Sequence, residues 1–573
     1  MGLSLNRFTP IENARMRDNS TLLHRLSLWA QDQPDAPALN FKSEDSDAWS
    51  SITVKDHWRT IVQIAEGLQA SGFKPGDPVL IYAKSSPEWI QWELGVLLAG
   101  GICVGAHPHL LDRDLYSIFE QVKPKLALVQ SDLFRERLNG GAVQIGLQVS
   151  VYTFAEANAL FMKEIDPEHS TLLQKVNPDA TQFLIFTSGT TGTPKGVMLG
   201  LRQLTYVSDL LAREWNLPFA DGTLFSFLPL SHVAEKIQSL GVAITERYPI
   251  WFNSKYESFF SEFKEVRPSL FLAVPSIWDR FKERIEAQKP KLLQRMMELE
   301  RLGSVAERLY LNQAKEHIGL DRLRFAVSGA VKLPPSTGEW FKKVGIEIQE
   351  IYGMSEACGL ATLTHAPRED FLSVGMPPVG IEVKILADGE ICVKGQNVFN
   401  GYWQDPALTK TLLLEEGWLR TGDLGEWKPD LLIIGRNRDI IKLSNGRMIA
   451  PEPIENTLRE IPEISNVCLI GDGQYGLLAL ITLKDSVLME YKFIPGAIEG
   501  LAVEVDELKD KIRTSIDTLM AQKKIQEKIQ SFIILSREFS ADQQELTLTQ
   551  KLNRVRIHQN FRHFIQFKME EHF

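Results

Sequence analysis

The chain has 573 residues, of which 44% are hydrophobic, and its formal net charge is −10. A chain of this length buries large cores and divides into at least two domains, while its negative charge argues against a broad nucleic-acid-binding surface. The cysteines show no CxxC spacing, so neither a disulfide framework nor a zinc site is predicted. They are Cys103, Cys358, Cys392 and Cys468.

The opening stretch, MGLSLNRFTPIENARMRDNS, lacks the apolar core of a signal peptide, and Asn6 stands where a myristoylation signal has Ser or Thr. No apolar run along the chain is long enough to span a bilayer. We therefore expect a cytoplasmic protein, and a peripheral contact with a membrane surface stays open.

Apolar runs that predict strands alternate with helical patterns such as SPEWIQWELGVLLAGG over the first three quarters of the chain. Continuous apolar strands with intervening helices favour parallel sheets covered on both faces. We predict an α/β fold, with a large N-terminal domain of parallel-rich sheets layered with helices over residues 1–434. The strand runs are PVLIYA (78–83), ICVGA, PKLALVQ, QFLIFT (182–187), TLFSFLP (223–229), SLFLAVP (269–275), LRFAVSG (323–329) and IEIQEIYG (346–353).

Several of these strands end in polar or glycine-rich strings: TSGTTG, LPLSHVAE, VPS, SGA and YGMSE. In open α/β sheets, ligands bind beyond the carboxyl ends of the strands. Several such ends indicate one convergent site.

From about residue 436 the sequence pattern changes, and it predicts a strand, an Asn445-Gly446 turn, a second strand and a helix opening near Pro451. VCLIGDGQYGLLALITL has a hairpin pattern, and DELKDKIRTSIDTLMAQKKIQEKIQ is amphipathic and helical. We predict a small α+β C-terminal domain over residues 435–573.

In the stretch LIFTSGTTGTPKGVML, residues 184–199, a strand is followed by a loop. The loop offers exposed backbone N–H groups, hydroxyls and the positive charge of Lys195. This combination is typical of a phosphate cradle, although a flexible Gly/Thr connection is the alternative. It is not a P-loop, because Pro194 takes the second glycine position and Gly196 replaces the Ser or Thr.

TSGTTGTPKG resembles the phosphate-binding signature of the adenylate-forming superfamily, which includes acyl-CoA synthetases, peptide-synthetase adenylation domains and firefly luciferase. Further strings resemble the later motifs of that family, in the family's order. They are LPLSHVAE (228–235), IYGMSEACG (351–359), DGEICVKGQNVFNGYW (388–403), GWLRTGDLGEW (417–427), GRNRDIIKLSNGRMIAPEPIE (435–455) and ELTLTQKLNR (545–554).

The resemblance implies a reaction in two halves, with ATP, Mg²⁺ and coenzyme A. A carboxylate attacks the α-phosphate of ATP to give acyl-AMP and pyrophosphate, and a thiol then displaces AMP. Glu356 would bind Mg²⁺ with the help of Thr187, although a surface glutamate is the alternative. The β- and γ-phosphates would be held by Thr187, Ser188, Gly189, Thr190, Thr191 and Lys195.

For the nucleoside, the resemblance places Tyr352 on one face of the adenine, while Asp423 accepts hydrogen bonds from both ribose hydroxyls. Arg436 would support the same sugar. An ordinary buried aromatic and a turn-capping aspartate are the alternatives for Tyr352 and Asp423. The other nucleotide-binding residues implied are Ser328, Gly329, Ala330, Gly353 and Ser355.

Lys551 is the implied adenylation residue, because its ammonium can bridge the substrate carboxylate and the α-phosphate, and a solvated lysine of a basic tail is the alternative. Many relatives have Pro where this chain has Leu548. His232 matches a catalytic-site residue at the mouth of the acyl pocket, where it contacts the substrate carboxylate or gates the nucleotide side. No general base is needed, since a carboxylate is already deprotonated at neutral pH, and a structural histidine is the alternative.

In relatives the C-terminal domain rotates between the two half-reactions, and Gly435 matches the hinge. A loop of this domain would then lie beside the thiol of coenzyme A, and a plain β-hairpin is compatible with that role. Its residues are Lys442, Ser444, Asn445 and Gly446.

The motifs most resemble those of long- and very-long-chain acyl-CoA synthetases, and LFLAVPSIW (270–278) could line an apolar acyl tunnel. We therefore expect small-molecule partners (fatty acid, ATP and coenzyme A) and no nucleic acid. Two other functions stay open: an acyl-AMP ligase that passes its product to a carrier protein, and a non-catalytic nucleotide- or acyl-binding homologue.

Overall fold

The computed structural model describes most of the chain. The described residues are 20–43, 46–144, 146, 148–162, 171–187, 193–217, 221–287, 312–368, 370–492, 498–499, 502–503, 505–522, 527–540, 543–547 and 551–572.

The first sheet of the N-terminal domain is parallel except at its last strand. Every side chain of the strand Ile102–Ala106 is buried, as expected for a parallel strand that is covered on both faces. In spatial order, the strands are Ser150–Thr153, Leu126–Val129, Pro78–Tyr82, Ile102–Ala106, Phe183–Thr187 and Lys195–Leu199.

The second sheet has a parallel centre and an antiparallel strand at each edge. Its parallel strands therefore end at one edge, where four of the five polar strand ends lie. The fifth, TSGTTG, follows the strand Phe183–Thr187 of the first sheet, and its residues 188–192 lie outside the described residues. In spatial order, the strands are Thr362–Leu363, Ile348–Tyr352, Phe325–Ser328, Leu270–Ala273, Leu224–Ser226, Ile250–Phe252, Pro37–Lys42 and Trp49–Thr53.

Helices cover these sheets, and their ends follow local sequence signals. Ser86 caps the helix Pro87–Leu98 by accepting a hydrogen bond from Trp89 N, and Pro87 suits the first helical position. A π-helical turn, Ile237–Val242, interrupts one helix. Among the described residues, the α-helices of this domain with both ends placed are Leu22–Asp32, Val54–Ala70, Pro87–Leu98, Asp112–Val122, Asp132–Gln144, Phe154–Phe161, Leu201–Glu214, Val233–Lys236, Ala243–Glu246, Phe259–Val266, Pro275–Ala287, Pro335–Lys343 and Pro406–Leu412.

An antiparallel sheet follows and leads toward the C-terminal domain. Its strands, in spatial order, are Ile381–Ile385, Glu390–Gly395, Leu419–Lys428 and Asp430–Arg436. The last two pair so that Asp423 lies opposite Arg436.

The C-terminal domain has its own apolar cluster, whose members all lie within residues 441–534. The predicted hairpin is present as Ile441–Lys442 and Met448–Ile449, and the strands of the main sheet are Ile464–Ile470, Leu477–Leu483, Ile529–Leu535, Ala502–Val503 and Ile498–Glu499. Its helices are Pro451–Leu458, Asp485–Lys492, Asp506–Gln522, Arg554–Asn560 and Arg562–His572.

The predicted α/β class, with a large N-terminal domain and a smaller C-terminal one, is confirmed. Among the described helices, none combines the length and the apolar character needed to cross a membrane.

Candidate active site

Two neighbouring parallel strands bring Ser328 and Tyr352 to one edge of the second sheet. Ser328 is fully buried, and its Oγ has no hydrogen-bond partner within the described residues. Ala330, two residues further on, has a φ of 69°, which turns the chain sharply at the strand end. A buried hydroxyl and a turned backbone at this edge suit a ligand that supplies hydrogen-bonding groups.

Tyr352, Asp423 and Arg436 form one hydrogen-bonded group. The Tyr352 hydroxyl donates to Asp423 Oδ2 at 2.8 Å, and Arg436 Nε lies 3.2 Å from Asp423 Oδ1. Burial, and then the charge of Asp423, raises the pKa of Tyr352 well above its usual value, so the phenol stays protonated. The structure therefore joins the predicted adenine and ribose residues.

Lys551 reaches this group from the C-terminal domain. Burial, and then the positive charge of Arg436, lowers the pKa of its ammonium to about 8. The negative charges of Asp423 and Glu452 act in the opposite direction. The lysine therefore lies in the electrostatic field of the nucleotide-binding residues, although it is far from them in the sequence.

The backbone of Lys551 is fixed by short-range hydrogen bonds. Its N–H donates to Thr547 Oγ1 at 3.0 Å, and its carbonyl accepts from Thr547 N at 2.8 Å. Leu546 and Leu552 pair across the same loop. The residues 548–550, including Leu548, lie outside the described residues.

Two buried carboxylates fasten the ends of the Lys551 loop. Glu545 is fully buried and pairs with Arg537 through both oxygens at 2.6 Å. Glu455 pairs with Arg554 at 2.7 and 2.5 Å, and it also accepts a hydrogen bond from Leu469 N. Bidentate pairs of this kind fix geometry as well as charge.

His232 begins the helix Val233–Lys236, and its Nδ1 accepts from Ala234 N at 3.2 Å. Burial, and then the positive charge of Lys551, lowers the pKa of His232 to about 4, so the ring is neutral near pH 7. A neutral imidazole beside the lysine agrees with contact or gating, and its capping bond also gives it a structural role.

The loop before His232 is anchored by Glu235, which is fully buried. Its Oε1 accepts from the hydroxyls of Ser226 and Ser239, each at 2.5 Å. Burial raises the pKa of Glu235 to about 7, against the opposing effect of these hydrogen bonds and of the Leu228 N–H.

Glu356 lies in the short 3₁₀ turn Ser355–Ala357 and is 7% exposed. The Tyr402 hydroxyl donates to its Oε1 at 2.5 Å. Gly353 precedes this turn, and a Cβ there would lie 2.3 Å from the carbonyl oxygen of Gly359, so a side chain does not fit.

Thr187 ends its strand directly opposite Lys195. Lys195 and Tyr402 both line a cavity of about 150 Å³ that Trp403 and Asp405 also border. The predicted phosphate-loop residues Ser188, Gly189, Thr190 and Thr191 lie outside the described residues.

The loop predicted to meet the thiol is exposed at Lys442, Ser444, Asn445 and Gly446. Asp472 accepts a hydrogen bond from Lys442 N at 3.0 Å, and the Gln474 carbonyl accepts from Ser444 N at 2.8 Å. The turn at 472–474 thus holds the loop within the C-terminal domain.

Tyr402 and Glu452 border the predicted site residues but were not among them. Tyr402 lies within the GYW string and Glu452 within APEPIE, so the motifs carried a signal for both. The segment 270–278 was expected to line an acyl tunnel. Its Phe271 and Trp278 are fully buried within an aromatic cluster, with ring centroids 5.5 Å apart, and the tunnel stays a prediction.

Two family descriptions match this chain. Residues 26–403 match the family described as AMP-binding enzyme, and residues 438–567 match the AMP-binding enzyme C-terminal domain.

The relatives include curated ligases of similar length. Long-chain-fatty-acid–CoA ligase ACSBG2 of Rattus norvegicus is 28% identical over 600 residues, covering 92% of this chain and 89% of its own. ACSBG1 of Homo sapiens, named likewise, is 27% identical and covers 96% of this chain and 85% of its own.

A solved structure shares the fold. The adenylation domain of a carboxylate reductase from Mycobacterium chelonae has a TM-score of 0.77 at 19% identity, and the alignment covers 97% of this chain and 92% of that one.

Proposed function

The chain belongs to the AMP-binding enzyme family, and on that premise we propose that it activates a long-chain fatty acid to acyl-AMP with ATP and transfers the acyl group to coenzyme A. The named activity of its curated relatives supports both the acid and the acceptor. The observation that carries the proposal is the electrostatic interaction of Lys551, which comes from the C-terminal domain, with Asp423 and with His232.

For adenylation, we propose that Lys551 holds its ammonium between the substrate carboxylate and the α-phosphate. Two anions must approach each other there, so a preorganised cation lowers the barrier as the new bond forms. His232 is neutral and bounds the same space without taking a proton.

Asp423 orients the nucleoside in this proposal. Each of its oxygens has one partner, Tyr352 or Arg436, and keeps further acceptor capacity for the ribose hydroxyls. The buried Ser328 hydroxyl lies at the end of the strand next to that of Tyr352 and offers a hydrogen bond on the adenine side.

The donors near the phosphate strand fit Mg²⁺, a hard cation that takes few protein carboxylates together with phosphate oxygens. Glu356 supplies a buried carboxylate, Thr187 a hydroxyl, and the described residues contain no cluster of three or more His, Cys, Asp or Glu that could hold an ion. When bound, the cation neutralises phosphate charge. Glu356 and Thr187 would hold it, and Lys195 would anchor the leaving pyrophosphate.

For thioester formation, we propose that residues 435–573 turn about Gly435 as one domain against residues 1–434. Lys551 would then leave the site, and the loop Lys442–Gly446 would approach the thiol. The separate apolar cluster of residues 441–534 supports movement as a unit.

The test is pyrophosphate release across a panel of carboxylic acids of increasing chain length, with and without coenzyme A. We expect release with long-chain acids and thioester only when coenzyme A is present. No release with any acid would refute the enzyme proposal. Adenylate that accumulates without thioester would instead support transfer to a carrier protein.

A further inference from the structure

We propose that Tyr402 is a positioning residue that orients the Glu356 carboxylate toward the nucleotide-bound Mg²⁺, an inference that rests on the proposed function. Its hydroxyl donates to Glu356 Oε1 at 2.5 Å, and the two side chains are only 5% and 7% exposed. This bond engages one carboxylate oxygen and leaves Oε2 for the cation. In a site with so few carboxylates, the direction of this one decides how the cation is held.

The segment that carries Tyr402 is bound to the strand Lys195–Leu199 like an added strand. Met198 N donates to the Gly401 carbonyl at 3.0 Å, and Asn400 N donates to the Met198 carbonyl at 2.9 Å. Trp403 N donates to the Gly196 carbonyl at 2.8 Å. Tyr402 is therefore fixed relative to the strand that begins with Lys195.

The same segment also holds the backbone of the Glu356 turn. Phe399 N donates to the Glu356 carbonyl at 2.9 Å. The Asn397 amide donates to the carbonyls of Ala357 and Leu360 at 3.0 and 2.6 Å. Backbone and carboxylate are thus both placed from residues 397–403, which links the cation site to the Lys195 strand.

Packing restricts the Tyr402 ring itself. It contacts the Phe399 ring edge to face at a centroid distance of 5.0 Å, and Tyr402 N donates to Thr409 Oγ1 at 2.8 Å. Removal of the hydroxyl alone should therefore leave the ring in place and release only the carboxylate.

The test is Tyr402→Phe, with Mn²⁺ as a spectroscopic substitute for Mg²⁺. Electron paramagnetic resonance measures Mn²⁺ binding in the presence of ATP and without any acid, so no turnover is needed. We expect binding about tenfold weaker, as for a lost hydrogen bond to a charged group. The Mg²⁺ concentration for half-maximal pyrophosphate release should rise by a similar factor, with the maximal rate restored at high Mg²⁺.

Tyr206→Phe is the matched control, because its hydroxyl donates to the Gly380 carbonyl at 2.7 Å and makes no contact with Glu356. It should leave Mn²⁺ affinity unchanged. Glu356→Gln separates the two proposals. If it weakens Mn²⁺ binding and Tyr402→Phe does not, only the role of Tyr402 is overturned. If neither variant weakens binding, the metal role of Glu356 in the proposed function fails as well.

Discussion

Burial changes what Lys551 and His232 can do chemically. A solvated lysine is charged far above neutral pH, whereas the pKa of Lys551 falls to about 8, and the pKa of His232 falls to about 4. The pair therefore presents one cation and one neutral ring near pH 7. This combination suits charge neutralisation and does not require a general base.

Lys551→Ala should abolish pyrophosphate release and leave thioester formation from supplied acyl-AMP largely intact, because in the proposed mechanism the ammonium acts only in the first half-reaction. The two half-reactions are measured separately. Lys528→Ala, an exposed lysine of the same domain, should affect neither. Equal loss of both half-reactions in Lys551→Ala would contradict the assigned role.

The rate of pyrophosphate release, as kcat/KM, should fall as the pH rises through about 8, because Lys551 then loses its proton. Glu452→Gln removes a negative charge that raises this pKa, so the decline should move to lower pH. Glu490 is exposed, and Glu490→Gln should leave the pH of this decline unchanged. A profile that does not move in Glu452→Gln would contradict the assignment. The charged or titratable groups around Lys551 are Arg436, Arg438, Asp423, Glu452 and His232.

At the scale of the elements, buried carboxylates form hydrogen bonds between helices and strands that are separate in the sequence. Glu455 ties the helix Pro451–Leu458 to Arg554, the first residue of the helix Arg554–Asn560. Glu235 ties its own helix to Ser226 at the end of a strand. The sequence predicted the helix near Pro451 and the strand run 223–229, but not these ties, because a charged residue in a sequence is more often exposed than buried.

Glu235→Gln should change the pH dependence of stability. The pKa of Glu235 is raised to about 7, so its stabilising contribution is complete below about 4.5 and is lost as the pH rises through 7. Relative to wild type, the variant should gain up to about 3 kcal/mol between pH 5 and 8. The measurement is the free energy of unfolding by denaturant at pH 5 and at pH 8, for the variant and for wild type. Exposed Glu283→Gln should show no such gain, and a constant difference for Glu235→Gln would refute the prediction.

At the scale of the molecule, the arrangement shown brings the C-terminal domain against the nucleotide side, with Lys551 inside. Gly435 lies at the junction, with a φ of 157°, and a Cβ there would lie 3.2 Å from the Ala450 Cβ. A side chain at residue 435 would therefore destabilise this domain arrangement more than an arrangement in which the backbone at the junction has relaxed.

Gly435→Ala should slow pyrophosphate release about tenfold and affect thioester formation from supplied acyl-AMP less, since backbone strain of this kind costs about 1–3 kcal/mol. Gly76→Ala is the matched control. Gly76 has a φ of 88°, an added Cβ there would meet open space, and the residue lies far from Gly435 in the sequence. This control should not slow one half-reaction more than the other. Equal slowing of both in Gly435→Ala would argue against a hinge at this residue.

The sequence by itself determined the fold class, eight strands of the two large N-terminal sheets, the hairpin at Asn445-Gly446 and the family motifs, because periodicity and turn chemistry are local properties. Only the tertiary structure decided that Lys551 lies beside Asp423 and His232, that Tyr402 holds Glu356, and that Phe271 and Trp278 pack among other rings. These contacts join residues far apart in the chain. Burial and partner charge, which set pKa values and side-chain direction, exist only once the chain has folded.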